Sequence, residues 1–363
     1  MSGNIFGRNL TLTTFGESHG KAIGGILDGL PAGLEIDFDF IKQELARRRP
    51  GQSKIVSSRD EPDQVEFLSG LKDGISLGTP IAFMVRNKDF RPEDYKSIEN
   101  TYRPSHADYT WDAKYGIRDA SGGGRSSARE TLSRVAGGAI AKLFLNKVGI
   151  TITAFVNRIG SIYLQEEYSC YDLNNTENSD VRCPDNKTSD KMISLITETG
   201  EKGDTLGGEI TCIIKNLPPG LGEPVFNKLN ADLGHAILGI NAVKGFDIGS
   251  GFKSSEMYGS ELNDEFYFAD GRIRTKTNNS GGIQGGISNG EDIYFRAAFK
   301  PVASIMLDQE TVDKSGQKSI INPKGRHDVC VVPRAVPIVE AMAALVLADH
   351  LIQNSSSKLE NFL

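Results

Sequence analysis

The sequence predicts an α+β fold built on antiparallel sheet. Three observations carry this. Short segments rich in β-branched and aromatic residues recur along the chain. Adjacent strand-like segments follow one another without a helix between them, as around Gly207–Leu217. The dinucleotide fingerprint of a doubly wound parallel sheet is also missing, because Gly249-Ser250-Gly251 is followed by Ser254 where a third glycine is needed.

In chain order, a strand is expected at Leu10–Thr14. A helix capped by Asp37 or Asp39 then runs through Ile41 and Leu45 and ends at Arg47-Arg48-Arg49 before Pro50. Ile81–Arg86 is a second strand. Ser127-x-x-Glu130 has the form of a capping box and opens a helix with Leu132, Val135, Ala136, Ala139, Ile140, Leu143 and Phe144 at helical spacing, stopped by Gly149. Further strands are expected at Ile150–Val156, Glu209–Lys215 and Ile293–Phe299. A helix through Phe226, Leu229, Leu233, Ala236 and Ile237 closes at Gly239, and a strongly apolar helix covers Ile338–Leu351. The polar stretch Tyr168–Lys191 reads as a surface excursion. Pro50–Asp63, Arg103–Ser126 and Gly245–Gly290 read as neither helix nor strand; loops of that length are usually functional or mobile.

The composition narrows the function classes. The chain has 363 residues, 41 Lys+Arg against 47 Asp+Glu, and a net charge of −6, a poor prior for nucleic-acid binding. The longest apolar run, Ala341–Ala348, is far short of a bilayer span, and the first residues lack a signal-peptide pattern, so a cytoplasmic protein with no membrane partner is expected. The four cysteines form no Cys-x-x-Cys pair. Glycine is in excess, at 40 residues, in dispersed runs such as Gly122-Gly123-Gly124. No Pro-, Ser- or Gly-rich linker divides the chain, so residues 1–363 are expected to form one domain.

Five constellations carry chemistry. Gly16-Glu17-Ser18-His19-Gly20 follows a strand and offers His19 as a titratable group, though a polar strand-to-loop turn fits equally. Gly122-Gly123-Gly124-Arg125-Ser126-Ser127-Ala128-Arg129-Glu130 delivers a glycine run into a helix N-terminus with two arginines, a pattern suited to phosphate; it is not a Walker A loop. Arg47-Arg48-Arg49 is either a helix C-terminus satisfying its dipole or, with Lys54 and Arg59, a second anion site. In Arg103-Pro104-Ser105-His106-Ala107-Asp108, His106 can act as an acid/base, whereas His106-x-Asp108 lacks partner ligands for a metal. In Lys324-Gly325-Arg326-His327-Asp328, Arg326 can pair with a phosphate or carboxylate and Asp328 can act as a base, or the two form a surface ion pair. His235 and His350 lie in apolar helical patterns and read as structural.

Taken together, these segments resemble the chorismate synthase family. Gly16–Gly20 through Asp28-Gly29-Leu30-Pro31, Gly124–Thr131 through Gly137-Gly138-Ala139, and Arg326-His327-Asp328 through Arg334-Ala335-Val336-Pro337 and Glu340-Ala341-Met342 match three family signatures. Pro218–Phe226, Asn241–Gly245 and Gly281–Ser288 also fit, in order, over nearly the whole chain. The resemblance implies a β-α-β sandwich, with helices between two antiparallel sheets, assembled as a homotetramer. It implies loss of phosphate and a ring proton from 5-enolpyruvylshikimate 3-phosphate in a 1,4-elimination to chorismate, a lyase step of the shikimate pathway that requires reduced FMN without net redox change. By the same resemblance, His106 serves reduced flavin, His19 serves the substrate near its phosphate, and Asp328 removes the ring proton. The substrate set is Arg48, Lys54, Arg125, Arg129, Arg326 and His19. The flavin set is Arg125, Ser126, Ser127, Asn241, Ala242, Gly285, Lys300, Pro301, Val302, Ala303, Ser304 and Arg326. Lys54 stands where many relatives carry arginine, a position linked to nicotinamide nucleotide or substrate contact, and Ala303 replaces a small hydroxyl residue. The length leaves no room for an appended reductase, so FMN reduction, possibly NADPH-linked, is expected from an external flavin reductase. Two competing readings, a metabolite kinase and a non-catalytic anion-binding module, lack a Walker motif and interleaved aromatic platforms respectively.

Overall fold

The computed structural model describes residues 3–49, 63–87, 99–119, 123–322 and 328–362. Two antiparallel five-stranded sheets enclose a layer of helices. The first sheet contains β1 (Ile5–Phe6), β2 (Thr11–Phe15), β3 (Ala22–Asp28), β4 (Val65–Phe67) and β5 (Ile81–Arg86), in the order β1-β2-β3-β5-β4. The second contains β6 (Thr151–Ile159), β7 (Ile162–Tyr163), β8 (Gly208–Lys215), β9 (Val243–Ile248) and β10 (Ile293–Phe299), in the order β9-β10-β8-β6-β7. The helices are α1 (Phe38–Arg48), α2 (Asp108–Tyr115), α3 (Thr131–Lys147), α4 (Asn186–Glu201), α5 (Leu229–Leu238), α6 (Gly259–Leu262) and α7 (Val332–Asn354). α3 packs on β2 and β3 of one sheet and on β6 of the other, while α7 packs on β6 and β8 and against α1, α3 and α5. The expected α+β sandwich is therefore the observed fold.

The packing follows from the residues. β10 alternates buried and half-buried positions, as a strand with one face on the core must. α7 is long and apolar enough to cross a membrane, but most of it is buried, so it is apolar all round because the second sheet covers one side and α1, α3 and α5 the other. α3 and α7 approach closely at Gly138, where an added Cβ would lie 2.3 Å from the Ala341 Cβ. Asp37 caps α1 by accepting from the Phe40 N–H at 2.9 Å, and Gly149, at φ +81°, follows the end of α3.

Several expectations need correction. β3 was not anticipated, because its Gly24-Gly25 pair depresses strand propensity; glycine is used there because the Phe83 carbonyl oxygen would stand 2.4 Å from a Cβ at residue 24. The capping box does not form. Ser127 accepts from the Arg129 N–H and starts a 3-10 turn, the α-helix begins at Thr131, and the Glu130 carboxylate pairs with Arg134 at 2.5 Å. Phe226 lies outside α5 and is 91 % exposed. Arg103–Ser126 contains α2. Gly245–Gly290 contains most of β9, α6 and the hairpins Phe266–Ala269/Arg272–Thr275 and Ile283–Gln284/Ile287–Ser288. The Tyr168–Lys191 stretch buries Val181 and Cys183 and leads into the unanticipated α4. His350 is structural, buried with Nε2 2.9 Å from Asp232 Oδ2, but His235 is exposed, its ring resting near Phe6.

Candidate active site

The C-terminus of α1 delivers Arg48 into the protein interior, where its side chain is 2 % exposed and Nη2 donates to Asp63 Oδ2 at 2.6 Å. Asp63 Oδ1 meets Arg129 Nη1 at 3.2 Å, and Arg129 Nε donates to Asn87 Oδ1 at 2.7 Å. Asn87 in turn donates through Nδ2 to the carbonyls of Glu17 and Gly20, which fixes the loop that carries His19. Arg334 donates through Nε to the Arg48 carbonyl at 3.1 Å and pairs through Nη1 with Asp328. Among the described residues, three guanidiniums thus face two carboxylates. Burial depresses the Arg48 pKa, and Arg334 and Arg129 add to that against the opposing charge of Asp63. The Arg48 Nε–H has no partner among the described residues. Among the described residues this leaves a buried surplus of positive charge with an unmet donor, an arrangement suited to an anion.

A cleft of about 380 Å³ lies beside this cluster, lined among others by Glu17, Asp108, Trp111, Arg118, Gly123, Arg125 and Ser126. Arg125 reaches back to the end of β2, with Nη2 2.6 Å from Thr14 Oγ1 and Nη1 3.3 Å from the Gly16 carbonyl. Gly123 and Gly124 have φ of +91° and +52°, a turn that L side chains rarely adopt. A Cβ at Gly123 would come 3.2 Å from His106 Cε1, so His106 sits directly against this turn. Its Nδ1 lies 2.9 Å from Asp108 Oδ1.

Ser126 links the cleft to the second sheet. Its carbonyl accepts from Asn241 Nδ2 at 2.9 Å, while Asn241 Oδ1 is buried without a partner among the described residues. Ala242 has φ +69°, and its carbonyl accepts from the Lys300 N–H at 2.9 Å. Burial, helped by the charge of Lys244, lowers the Lys300 pKa. Pro301, Val302, Ala303 and Ser304 continue from Lys300, with the Val302 carbonyl accepting from Thr205 Oγ1. Gly285 is exposed on a separate hairpin whose Gly286 carbonyl accepts from the Leu229 N–H. A larger groove, about 910 Å³ and lined in part by His235, Phe246, Phe252 and Asp264, contains none of the site residues named from sequence.

The structure therefore brings together His19, Arg48, His106, Arg125, Ser126, Ser127, Arg129, Asn241, Ala242, Lys300 and Asp328. Lys54 and Arg326 lie outside the described residues. Asp63, Asn87, Arg103 and Arg334 were not named as site residues. Arg103 and Arg334 stand inside the quoted motifs, whereas Asp63 and Asn87 sit in segments with no local pattern.

Fold and site define an enzyme of α+β sandwich architecture whose candidate site gathers arginines beside histidine and aspartate. A family model described as chorismate synthase matches residues 10–352. The chorismate synthase of Cytophaga hutchinsonii is 58 % identical over 358 residues, covering 98 % of this chain and 99 % of the relative. That of Parabacteroides distasonis is 58 % identical over 359 residues, covering 99 % and 100 %. A solved structure titled as the crystal structure of chorismate synthase superposes with a TM-score of 0.78 at 32 % identity, covering 98 % of this chain and 95 % of that one. The chain belongs to the chorismate synthase family, whose activity is that of a lyase.

Proposed function

We propose that this protein converts 5-enolpyruvylshikimate 3-phosphate to chorismate by 1,4-elimination of phosphate and a ring proton, with reduced FMN bound beside the substrate. The observation that supports this most strongly is the convergence of Arg48, Arg129 and Arg334, from three separated segments, tied through Asn87 to Glu17 of a cleft that Arg125 lines and whose Gly123 stands against His106. A substrate with one phosphate and two carboxylates needs several guanidinium forks. Arg48 and Arg129, with Arg125 and Arg326, hold these groups, and His19 faces the phosphate. Asp328, oriented by Arg334, takes the ring proton. His106 holds a proton at Nε2 on the flavin side.

The residues present suit FMN. Asn241 Oδ1 is a buried acceptor awaiting a donor, and Ser126 and Lys300 are tied to the same asparagine-alanine turn. Arg125, Ser127, Gly285 and residues 301–304 complete the set. Bound there, reduced FMN would supply electron density to the substrate ring without net redox change. The same reading includes a homotetramer, an external flavin reductase, a cytoplasmic setting and a single domain over 1–363. The variants Asp328→Asn, His106→Ala and His19→Ala test it. Each is expected to slow turnover more than a hundredfold while flavin affinity stays within a few-fold. Normal turnover by all three would overturn the assignment.

A further inference from the structure

We infer that Asp108, clamped by Arg103, is the positioning residue that fixes which nitrogen of His106 faces the Gly123 turn at the cleft wall, an inference that rests on the role given to His106 above. Residues 103–108 fold back on themselves. The His106 N–H donates to the Arg103 carbonyl at 3.1 Å, and Ser105 adopts φ +57°. The Asp108 carboxylate, at the first turn of α2, is saturated. Oδ2 accepts from Arg103 Nε at 2.8 Å and from the Arg103 N–H at 3.1 Å, and Oδ1 accepts from Arg103 Nη2 at 2.8 Å. Arg118 Nη1 stands 3.5 Å from the same oxygen. Burial opposes ionisation of Asp108, but the hydrogen bonds from Arg103 and His106 outweigh it and hold the carboxyl well below the ordinary range.

The proton on His106 follows from these partners. Its Nδ1 meets a carboxylate that can only accept, at 2.9 Å, and a guanidinium that can only donate, at 3.1 Å. Arg103 Nη2 gives one of its two N–H groups to Asp108, and its contact with His106 Nδ1, at 3.1 Å, is longer than that of the carboxylate at 2.9 Å. An unprotonated Nδ1 would set its lone pair against the carboxylate. Nδ1 therefore carries a proton donated to Asp108, which leaves Nε2 as the nitrogen that exchanges protons on the Gly123 side. Because Arg103 neutralises Asp108, the carboxylate orients the ring and does not itself accept the proton.

Two measurements test this. In flavin-free protein labelled with 15N-histidine, with the His106 signals assigned by loss in His106→Gln, Nδ1 is expected to read as protonated at pH 8 and to move toward the unprotonated tautomer in Asp108→Asn. In turnover, Asp108→Asn is expected to lower kcat about ten- to a hundredfold with substrate KM within twofold. Asp108→Glu, which keeps the charge opposite Arg103 but moves the oxygens, serves if the asparagine variant does not fold, and is expected to recover part of kcat. Adding Asp108→Asn to His106→Gln should cost less than twofold more, since both act through one group. An unchanged tautomer, or losses that multiply in the double variant, would overturn the inference. Normal turnover by His106→Gln would instead remove the role of His106, and the tautomer measurement would still decide the positioning.

Discussion

Glu340 offers a sharp test of how the helical layer is held. Its side chain is 3 % exposed, in the middle of α7. It accepts from Arg47 Nη1 at 2.6 Å, Lys142 Nζ at 2.5 Å and the Ala154 N–H at 2.9 Å, while Lys142 also binds Glu44 at 2.5 Å. One carboxylate thus ties α1, α3, α7 and β6 together. Burial opposes its ionisation most strongly, yet Lys142 and Arg47 pull its pKa from 4.5 down to about 2. Glu340→Gln leaves two buried cations short of one partner. Breaking such a pair costs about 3–5 kcal/mol. With an unfolding entropy of roughly 2.1 cal/mol/K per residue over a chain of this length, the Tm should fall by about 4–7 °C at pH 7. A carboxyl whose pKa is lowered on folding stabilises the protein above its unfolded value and loses that contribution as pH falls through its folded value. The gap between wild type and variant should therefore narrow between pH 4.5 and about 2. Thermal melts by circular dichroism at stepped pH read both quantities. A Tm within 1 °C of wild type at pH 7, or a gap unchanged at pH 3, would refute the reasoning.

Gly138→Ala sets a Cβ 2.3 Å from the Ala341 Cβ and 2.6 Å from its Cα, so α7 must move and stability should fall by about 1–3 kcal/mol in urea unfolding. Arg48→Lys keeps the charge but loses the fork at a fully buried site, so substrate KM should rise about tenfold in steady-state assays, with the melting temperature nearly unchanged. Asn241→Ala removes the donor to the Ser126 carbonyl and the buried unpaired oxygen, and flavin affinity, titrated by fluorescence quenching, should weaken about tenfold.

The sequence made the framework legible where local chemistry agreed with the fold. β10 is legible at Ile293–Phe299 because β-branched and aromatic residues cluster there, and α1 because an aspartate, Asp37, caps it. β3 was hidden because two of its residues are glycines chosen for close approach to Phe83 and Phe15, which a propensity argument counts against a strand. α2 was hidden because its apolar residues show no stripe: it lies on the surface with Tyr109 and Tyr115 exposed. At the site, motif residues such as His106 and Arg125 were legible because glycine and arginine cluster around them. Asp63 and Asn87 were not, since they act across 15 and 42 positions of sequence, on Arg48 and Arg129 respectively. Their role appears only when α1, β5 and the start of α3 are brought together.

We propose that this arginine-lined site eliminates phosphate from a substrate carrying one phosphate and two carboxylates, beside reduced FMN. Anaerobic incubation of the purified protein with 5-enolpyruvylshikimate 3-phosphate and photoreduced FMN tests it most directly, following chorismate absorbance and released phosphate together. The expected result is one phosphate per chorismate, with the flavin still reduced at the end. Folded, flavin-binding protein that forms no chorismate, or that oxidises one flavin for each turnover, would contradict it.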